Sequence, residues 1–465
     1  MMKKHFKSIV SMSLCLLLAL TLWVPARAAS DTEYKDVLEA TLENIYFTIT
    51  DPSCGSIGGE WAVLALARGG VEDDAWYGRY LTAVSATIDN CNGVLHDKKY
   101  TEYSRVVLGL TAAGQDATKF NTGTKTYDLV SPLLKKQDNG EYWAAYQGNT
   151  GTAFAIIALN SRDYFNNASG QKARAGLLDT LLNAQNSDGG WNINGGASGI
   201  DPTAMSLQAL APYYLRQRKF DALGASHTYA QLKSSVEKAL AYLKTQSGDD
   251  YGSAEAAAQV VVALAALKRD AANDPLLGDV LASVLAYYDG DGGFLHLKDG
   301  SDGDNQMSTE QACYAMVAYD RWKTGKTSLY NMTEGMYTNI RVSAPNSVAV
   351  EQTDTDSFQV TSSVPCFAVV QNADGSYSYL DPEGSGDTRN FYTESGSAIV
   401  VVCGDANGDG KLSISDMIMA RASMLGAISL DEVSLMAVDL DKNGLTIADI
   451  IKARAYSLGM TTLDW

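Results

Sequence analysis

The sequence predicts a mainly α chain. It reads as an α/α toroid of about six helical pairs, then a small antiparallel β-module, then a C-terminal unit built on two duplicated acidic loops. Three observations carry this. Between Ser30 and about Lys326 an apolar helical pattern recurs with a period of roughly fifty residues. From about Asn339 to Val402 it gives way to short alternating runs separated by Gly/Asp/Ser turns. From Gly404 one loop-plus-helix unit is written twice. The divisions are 1–28, 30–335, 339–402 and 403–465.

The first segment has the pattern of an export signal peptide. Lys3, Lys4 and Lys7 form a basic start, an apolar run follows from about Ser13 to Val24, and Ala26-Arg27-Ala28 fits a small-residue cleavage site. The run is too short to span a bilayer, so the expected location is extracellular: secreted and soluble. Segment 1–28 holds four basic residues and no acid, so its removal takes the formal charge from −18 to about −22. That balance argues against nucleic acid and anionic membrane as partners, since both need basic patches. Six cysteines occur, of which Cys15 belongs to the leader. Cys54 and Cys91 lie in loop-like contexts, and Cys366 and Cys403 bracket the β-module. Two disulfides are allowed outside the cell, with their pairing open. Cys313, in an apolar helix, reads as a buried thiol. No CxxC or HExxH pattern appears and the four histidines are dispersed, which argues against zinc.

Each repeat pairs an amphipathic helix with a Gly/Asp/Asn turn carrying an aromatic, followed by an apolar helix rich in small residues. The clearest copies are LLDTLLNAQNSDGGW ending at Trp191 with DPTAMSLQALAPYY from Asp201, and VLASVLAYYDGDGGF ending at Phe294 with MSTEQACYAMVAYDRW from Met307. SPLLKKQDNGEYW with GNTGTAFAIIALNS, and ALAYLKTQSGDDYGS with AEAAAQVVVALAAL, are further copies. GGEWAVLALARGG from Gly58 and TEYSRVVLGLTAAG from Thr101 supply two more second helices. Small residues let second helices approach closely, which suits an inner ring with the more polar helices outside. The turn aromatics Trp143, Trp191, Tyr251 and Phe294 suit the gaps between neighbouring units. Six pairs, with second helices near residues 60, 102, 150, 203, 255 and 310, suffice to close a ring.

The runs 137–143 (QDNGEYW), 185–191 (QNSDGGW) and 289–294 (DGDGGF) resemble the prenyltransferase and squalene-cyclase repeat, and so imply a terpenoid-cyclase-like toroid over about 300 residues. A terpenoid-cyclase-like or prenyltransferase-like enzyme is the third and least favoured expectation, because the motifs for that chemistry are incomplete. Squalene-type cyclases use an Asp-x-Asp-Asp acid, and the nearest match, Asp302-Gly303-Asp304-Asn305, lacks the last aspartate. Prenyltransferases bind zinc through Asp, Cys and His, and Cys313 has no downstream histidine.

Acids recur near the starts of the second helices, at Glu60, Glu102, Asp201, Glu255 and Glu310, with Trp61, Tyr103, Trp143, Tyr146 and Trp191 close by. In a closed ring these acids converge on one mouth. Paired carboxylates beside aromatic platforms are what glycoside hydrolysis needs, so the five acids are the catalytic candidates for a toroid acting on plant polysaccharide. Helix capping and the helix dipole explain acids at these positions equally well. Asp201 before Pro202 has the form of an N-cap, and Arg105, one turn after Glu102, suits an ion pair. The alternative is a non-catalytic toroid that binds a small ligand or a protein in its mouth, as toroids of cobalamin carriers bind theirs.

The β-module reads as a spacer or a carbohydrate-binding face formed by Tyr377, Tyr379 and Tyr392. In the C-terminal loops, oxygen-bearing side chains alternate before a glycine, a pattern suited to hard cations. Asp405, Asn407 and Asp409 take positions one, three and five, and Gly410 makes the turn. Lys411 offers its carbonyl, Ser413 acts through water and Asp416 closes the first loop. The second uses Asp439, Asp441, Asn443, Gly444, the Leu445 carbonyl and Asp449, and is one residue shorter. Two Ca2+ ions are the expected cofactors.

From about Cys403 to Leu463 this duplication resembles a type I dockerin, which plugs secreted enzymes into cohesin domains of a cellulosome scaffold. The resemblance implies that Ile414, Ser415 and Arg421 in one copy, and Ile447, Ala448 and Arg454 in the other, face the cohesin. Core packing explains the two isoleucines as well. The chain as a whole is thus expected to be a cellulosome component in polysaccharide breakdown.

Overall fold

The computed structural model describes residues 31–463 apart from 302–304, 335, 337–339, 355–356, 373, 383–386 and 394–395. The leader and most of the 302–305 motif lie outside the described residues. Helices α1 (Asp31–Thr48), α2 (Glu60–Gly69), α3 (Asp74–Asn90), α4 (Thr101–Ala112), α5 (Gly148–Ser161) and α6 (Ala168–Asn183) begin the fold. Helices α7 (Ile200–Tyr214), α8 (Gln217–Leu223), α9 (Tyr229–Thr245), α10 (Ala254–Ala266), α11 (Val280–Leu285) and α12 (Gln306–Lys323) continue it. The six second helices α2, α4, α5, α7, α10 and α12 pack in that order, and α12 returns to α2. The ring is closed.

Composition explains which helices lie inside. In α10 every residue from Ala254 to Ala265 is buried, and a helix apolar all round has no face to offer water. By contrast α9 buries one stripe, including Leu232, Val236, Leu240 and Leu243, and starts on a Thr228/Gln231 capping box. The third unit departs from the pair pattern. Its outer element is a short 3₁₀ turn, Ser131–Leu134, behind a hairpin of β1 (Phe120–Asn121) and β2 (Thr126–Tyr127). Four residues containing Pro132 and followed at once by a polar turn are too few to nucleate an α-helix.

The aromatic turns fill gaps between units as expected. Trp191 is fully buried and donates its indole N–H to the Leu181 carbonyl at 2.7 Å. Its backbone N–H reaches the Thr203 hydroxyl at 2.8 Å, and Phe294 uses Thr309 in the same way at 2.9 Å. Gly189 has φ 92° and lies so close to α9 that a Cβ there would sit 2.5 Å from the Lys238 carbonyl oxygen. Only glycine meets both demands.

At the carboxyl end of the inner helices, residues 327–334 lie as a strap across the ring. Arg68 donates to the carbonyls of Ser328, Leu329 and Asn331 and to the Thr327 hydroxyl, and pairs with Glu334 at 2.8 Å. Arg321 meets the same Glu334 at 2.7 Å and donates to the Thr327 carbonyl. Beyond the strap stand two small sheets. One has the order β3-β9-β6-β7 (Arg341–Ser343, Ser397–Val402, Cys366–Gln371, Tyr377–Leu380), the other β4-β5-β8 (Ala349–Asp354, Ser357–Thr361, Thr388–Tyr392). Phe358, Val360, Cys366, Ala368, Phe391 and Val400 form their shared core. The module is not wholly antiparallel: β3 pairs with β9 in parallel, because the chain enters and leaves the sheet at one edge in the same direction. Its tyrosines share no face. Tyr377 and Tyr379 pack near α14 (Glu432–Val438), whereas Tyr392 meets Arg216 of the ring. The five described cysteines are free thiols. Cys366 and Cys403, which bracket the module in sequence, are unbonded and buried in its interior. No described helix is long and apolar enough to cross a membrane.

Replacing Arg68 with Met should destabilise the ring by about 2–4 kcal/mol, because three strap carbonyls lose their donor in a largely enclosed place while Glu334 keeps only Arg321 as its described ion-pair partner. Urea unfolding followed by tryptophan fluorescence reads this directly, since all five described tryptophans belong to the ring.

Candidate functional site

The two ends of the ring differ in chemistry. At the amino ends of the inner helices the five predicted acids do gather, but mostly in protein contacts. Glu60 is fully buried; one carboxylate oxygen is paired with the Arg105 guanidinium and the other accepts from the Tyr80 hydroxyl at 3.3 Å. Arg105 also pairs with Glu102, as its spacing predicts. Burial pushes the Glu60 carboxyl up to about 6, against the opposing effect of Arg105. Glu310 is buried as well, accepting from the Gly58 N–H at 2.7 Å and the Gln306 amide at 2.9 Å. Burial, with a smaller contribution from the Glu60 charge, raises it to about 7. Glu255 accepts from the Ser308 hydroxyl at 2.5 Å and meets His296 Nδ1 at 2.7 Å.

Two readings of these acids need correction. None is the N-cap of its own helix. Ser253 and Asn305 cap α10 and α12, and Gly199 precedes α7, placing Asp201 within the first turn with no capping bond. Nor do the acids form an open catalytic pair. Only Glu102, with a side chain 37% exposed, and the half-buried Asp201 remain within reach of a substrate. Asp201 is raised by burial and by the Glu255 charge. Of the aromatics, Trp191 is buried, Trp61 packs against Phe154 and Tyr314 inside the ring, and Trp143 stacks on Tyr100 with rings 6.0 Å apart.

The opposite end holds a cavity of about 170 Å³. Its walls come from the carboxyl ends of α5, α7, α10 and α12, from the strap, and from the β4-β5-β8 sheet. Three residues of the wall each have a polar side-chain atom buried without a hydrogen-bond partner: Asn160 Nδ2, Gln208 Oε1 and Tyr330 Oη. The amide orientations are determined by neighbours. Asn160 Oδ1 accepts from Arg174 at 2.9 Å and Tyr213 at 3.0 Å, and Gln208 Nε2 donates to the Gln259 side chain at 2.9 Å and backbone at 3.0 Å. Turning Gln208 over would break both of its bonds, and turning Asn160 over would set its N–H groups against the Arg174 guanidinium. Lys268 completes the wall. It sits just past the end of α10 with φ 58°, a conformation that costs a non-glycine residue about 1 kcal/mol. Enclosure pushes its ammonium down to about 8, and the Arg216 and Arg321 charges add to this. Arg216 donates to the Tyr392 hydroxyl at 2.9 Å, with its guanidinium over that ring. Lys268 and the orphaned amides were not singled out from sequence. The one available sign was a Lys-Arg pair closing the long uncharged run of α10.

The C-terminal unit comprises α13 (Ile414–Met424), α14 and α15 (Ile447–Ser457). Its two loops have matching internal bonds. Asp405 accepts from the Gly410 N–H at 2.7 Å, and Asp439 from the Gly444 N–H at 2.9 Å. Ser413 with Asp416, and Thr446 with Asp449, make identical capping boxes. Both closing aspartates are buried. Lys442 takes the left-handed place that Gly408 holds in the first loop. Although one residue shorter, the second loop brings carboxylate oxygens of Asp439, Asp441 and Asp449 within 4.8 Å of one another. These oxygen-only donor sets fit a hard cation. Burial and the Asp416 charge raise Asp405. Ile414 and Ile447 are 74% and 54% exposed, so core packing does not account for them. Ser415, Arg421, Ala448 and Arg454 are exposed beside them.

No protein-family model matches the chain, and no curated protein matches it. Among solved structures, ent-copalyl diphosphate synthase from Streptomyces platensis aligns at 18% identity over 56% of this chain, with a TM-score of 0.35. The alignment covers 49% of that synthase, about half its length. A likeness at that level carries no argument about this chain.

Glu310 supplies a pH test. Its folded carboxyl lies above the ordinary 4.5, so its stabilisation is complete below about pH 4.5 and is lost as pH rises through about 7. Glu310→Gln should keep the Gly58 contact and remove that loss. Urea unfolding between pH 4.5 and 8 should then show a pH dependence flatter by on the order of 3 kcal/mol.

Proposed function

We propose that the chain is an exported, scaffold-docked binding protein. In this reading the toroid and β-module take up a small ligand, and the C-terminal unit, folded around two calcium ions, docks on a cohesin. The observation that carries the binding half is the contrast between the two ends of the ring. Four of the five acids of one end are engaged by the protein itself or open to water, and only Glu310 keeps one unpartnered oxygen there, while three residues around the cavity at the other end each carry a buried polar atom without a partner and Lys268 stands beside them without a counter-ion among the described residues. A buried polar atom without a hydrogen bond is unfavourable by about 1–3 kcal/mol, and a ligand that supplies the missing bond recovers it.

Polysaccharide hydrolysis is the second reading, favoured by Glu102 beside the Tyr100–Trp143 stack. It needs a second carboxylate at catalytic separation; Glu60, Glu255 and Glu310 are all buried, which leaves the half-buried Asp201 as the one candidate partner among the five acids. Reducing-end release from a panel of plant polysaccharides should therefore stay at background. Release that disappears in Glu102→Gln would reverse the order of the two readings.

Docking rests on the duplication of the loop-plus-helix unit and on the exposure of Ile414 and Ile447. Calcium would be held by Asp405, Asn407, Asp409 and Asp416 with the Lys411 carbonyl and Ser413. The second ion would be held by Asp439, Asp441, Asn443 and Asp449 with the Leu445 carbonyl. It would neutralise carboxylates that otherwise repel one another. The double variant Asp405→Ala/Asp439→Ala should lose calcium uptake in isothermal titration and weaken cohesin binding at least 100-fold, roughly 3 kcal/mol. Cohesin capture that persists unchanged in chelator would overturn the docking assignment.

A further inference from the structure

We infer, resting on the binding reading above, that the cavity at the carboxyl end of the ring is a site for a small anion. Its ligand would be a carboxylate or phosphate of about monocyclic size, held by Lys268, with its polar substituents meeting Gln208 and Asn160. Size sets the first limit. A cavity of about 170 Å³ is close to the ~150 Å³ that accepts a single benzene ring, so the part of a ligand that it takes in is of about monocyclic size.

Charge sets the second. Lys268 lies on the wall, and its ammonium has no hydrogen bond or ion pair to any described residue. Arg216 and Lys219 are also wall residues. The acid on this wall, Asp163, stands 3.7 Å from Lys219. Of the described cations on the wall, Lys268 is the one that would hold the anion. Lys268 is half-buried; an ammonium partly withdrawn from water without a counter-ion is unfavourable, and a ligand anion supplies one.

The neutral contacts set the third. Gln208 Oε1 needs a donor and Asn160 Nδ2 needs an acceptor, while Tyr330 Oη serves as either. A hydroxyl or amino substituent on the anion suits these groups further, and a simple aromatic carboxylate already meets Lys268. The cavity lies on the side of the strap and the sheet, so the β-module forms part of the site.

Thermal unfolding of the full mature chain in calcium buffer at constant ionic strength tests this. The probes are benzoate, inorganic phosphate and neutral benzamide. One of the two anions should raise Tm by about 5–10 °C at roughly 100 times its Kd, and benzamide should not. Which anion acts distinguishes a carboxylate ligand from a phosphate. Lys268→Met should abolish the shift, Lys268→Arg should restore part of it, and Gln208→Leu should weaken it. Glu310→Gln, at the other end of the ring, should leave it unchanged. Lys268→Met without probe should itself be more stable than the natural chain at pH 7, by roughly 2–4 °C, which excludes misfolding as the cause of lost binding. No shift from either anion, or a shift that survives Lys268→Met, overturns the inference. Equal stabilisation by benzamide overturns the anion assignment and leaves the binding reading standing. That reading fails separately, by polysaccharide release.

Discussion

Ring closure is the constraint on which the rest of the structure depends. The inner helices are apolar on nearly every side, so none has a solvent face, and each is stable only between two neighbours and an outer element. An open row would leave the sides of α2 and α12 bare. The α12–α2 contact removes those two edges together, and α1 packs across the seam on both. The turns take part in the same closure. Gly292, in the last repeat, comes so near α1 that a Cβ would lie 2.7 Å from the Ala40 carbonyl oxygen. Small residues at such points are thus demanded by contacts between units far apart in sequence.

Closure also produces the two unlike ends. Inner helices all run the same way, so one mouth gathers amino termini and the other gathers carboxyl termini. Acids near amino termini are favoured by the helix dipole, and the first mouth collects them without any functional demand. Arg105 between Glu60 and Glu102 then neutralises part of the charge. The second mouth collects carbonyl ends and the basic residues that suit them, among them Lys268 and Arg321. Glu334, on the strap, joins Arg68 and Arg321, and so seals that end while leaving a void beneath. Unpartnered buried polar atoms are rare in folded proteins; three of those among the described residues belong to residues around this cavity, and others, Glu310 Oε2 and Tyr251 Oη among them, lie elsewhere.

The C-terminal unit follows a different logic. Its described helices are short and bury few residues, Asp416 and Ala420 in α13 and Asp449 and Ala453 in α15. A unit with so little apolar core has few other sources of stability, and in the calcium-bound reading proposed above the ion would join its clustered aspartates. The same economy leaves Ile414, Ile418, Ile447 and Ile451 in water, which is the usual mark of a surface that becomes covered.

The sequence by itself determined the helical repeats, the six inner helices within a few residues of their observed starts, and the aromatic turns. It determined the duplicated loops as well. All of these are local signals, written in periodicity and in turn chemistry, and neighbours along the chain suffice to express them. Tertiary structure alone decided which acids are reachable. Glu60 and Glu102 look alike in sequence, and only the approach of Tyr80 and Arg105 buries one and leaves the other half in water. It likewise decided that Asp201 caps nothing, that Tyr392 parts from Tyr377 and Tyr379, and that Cys366 and Cys403 stay as thiols. The cavity belongs wholly to this second kind. Asn160, Gln208, Lys268 and Tyr330 come from four separate stretches, and an orphaned donor or acceptor exists only once every other partner has been placed.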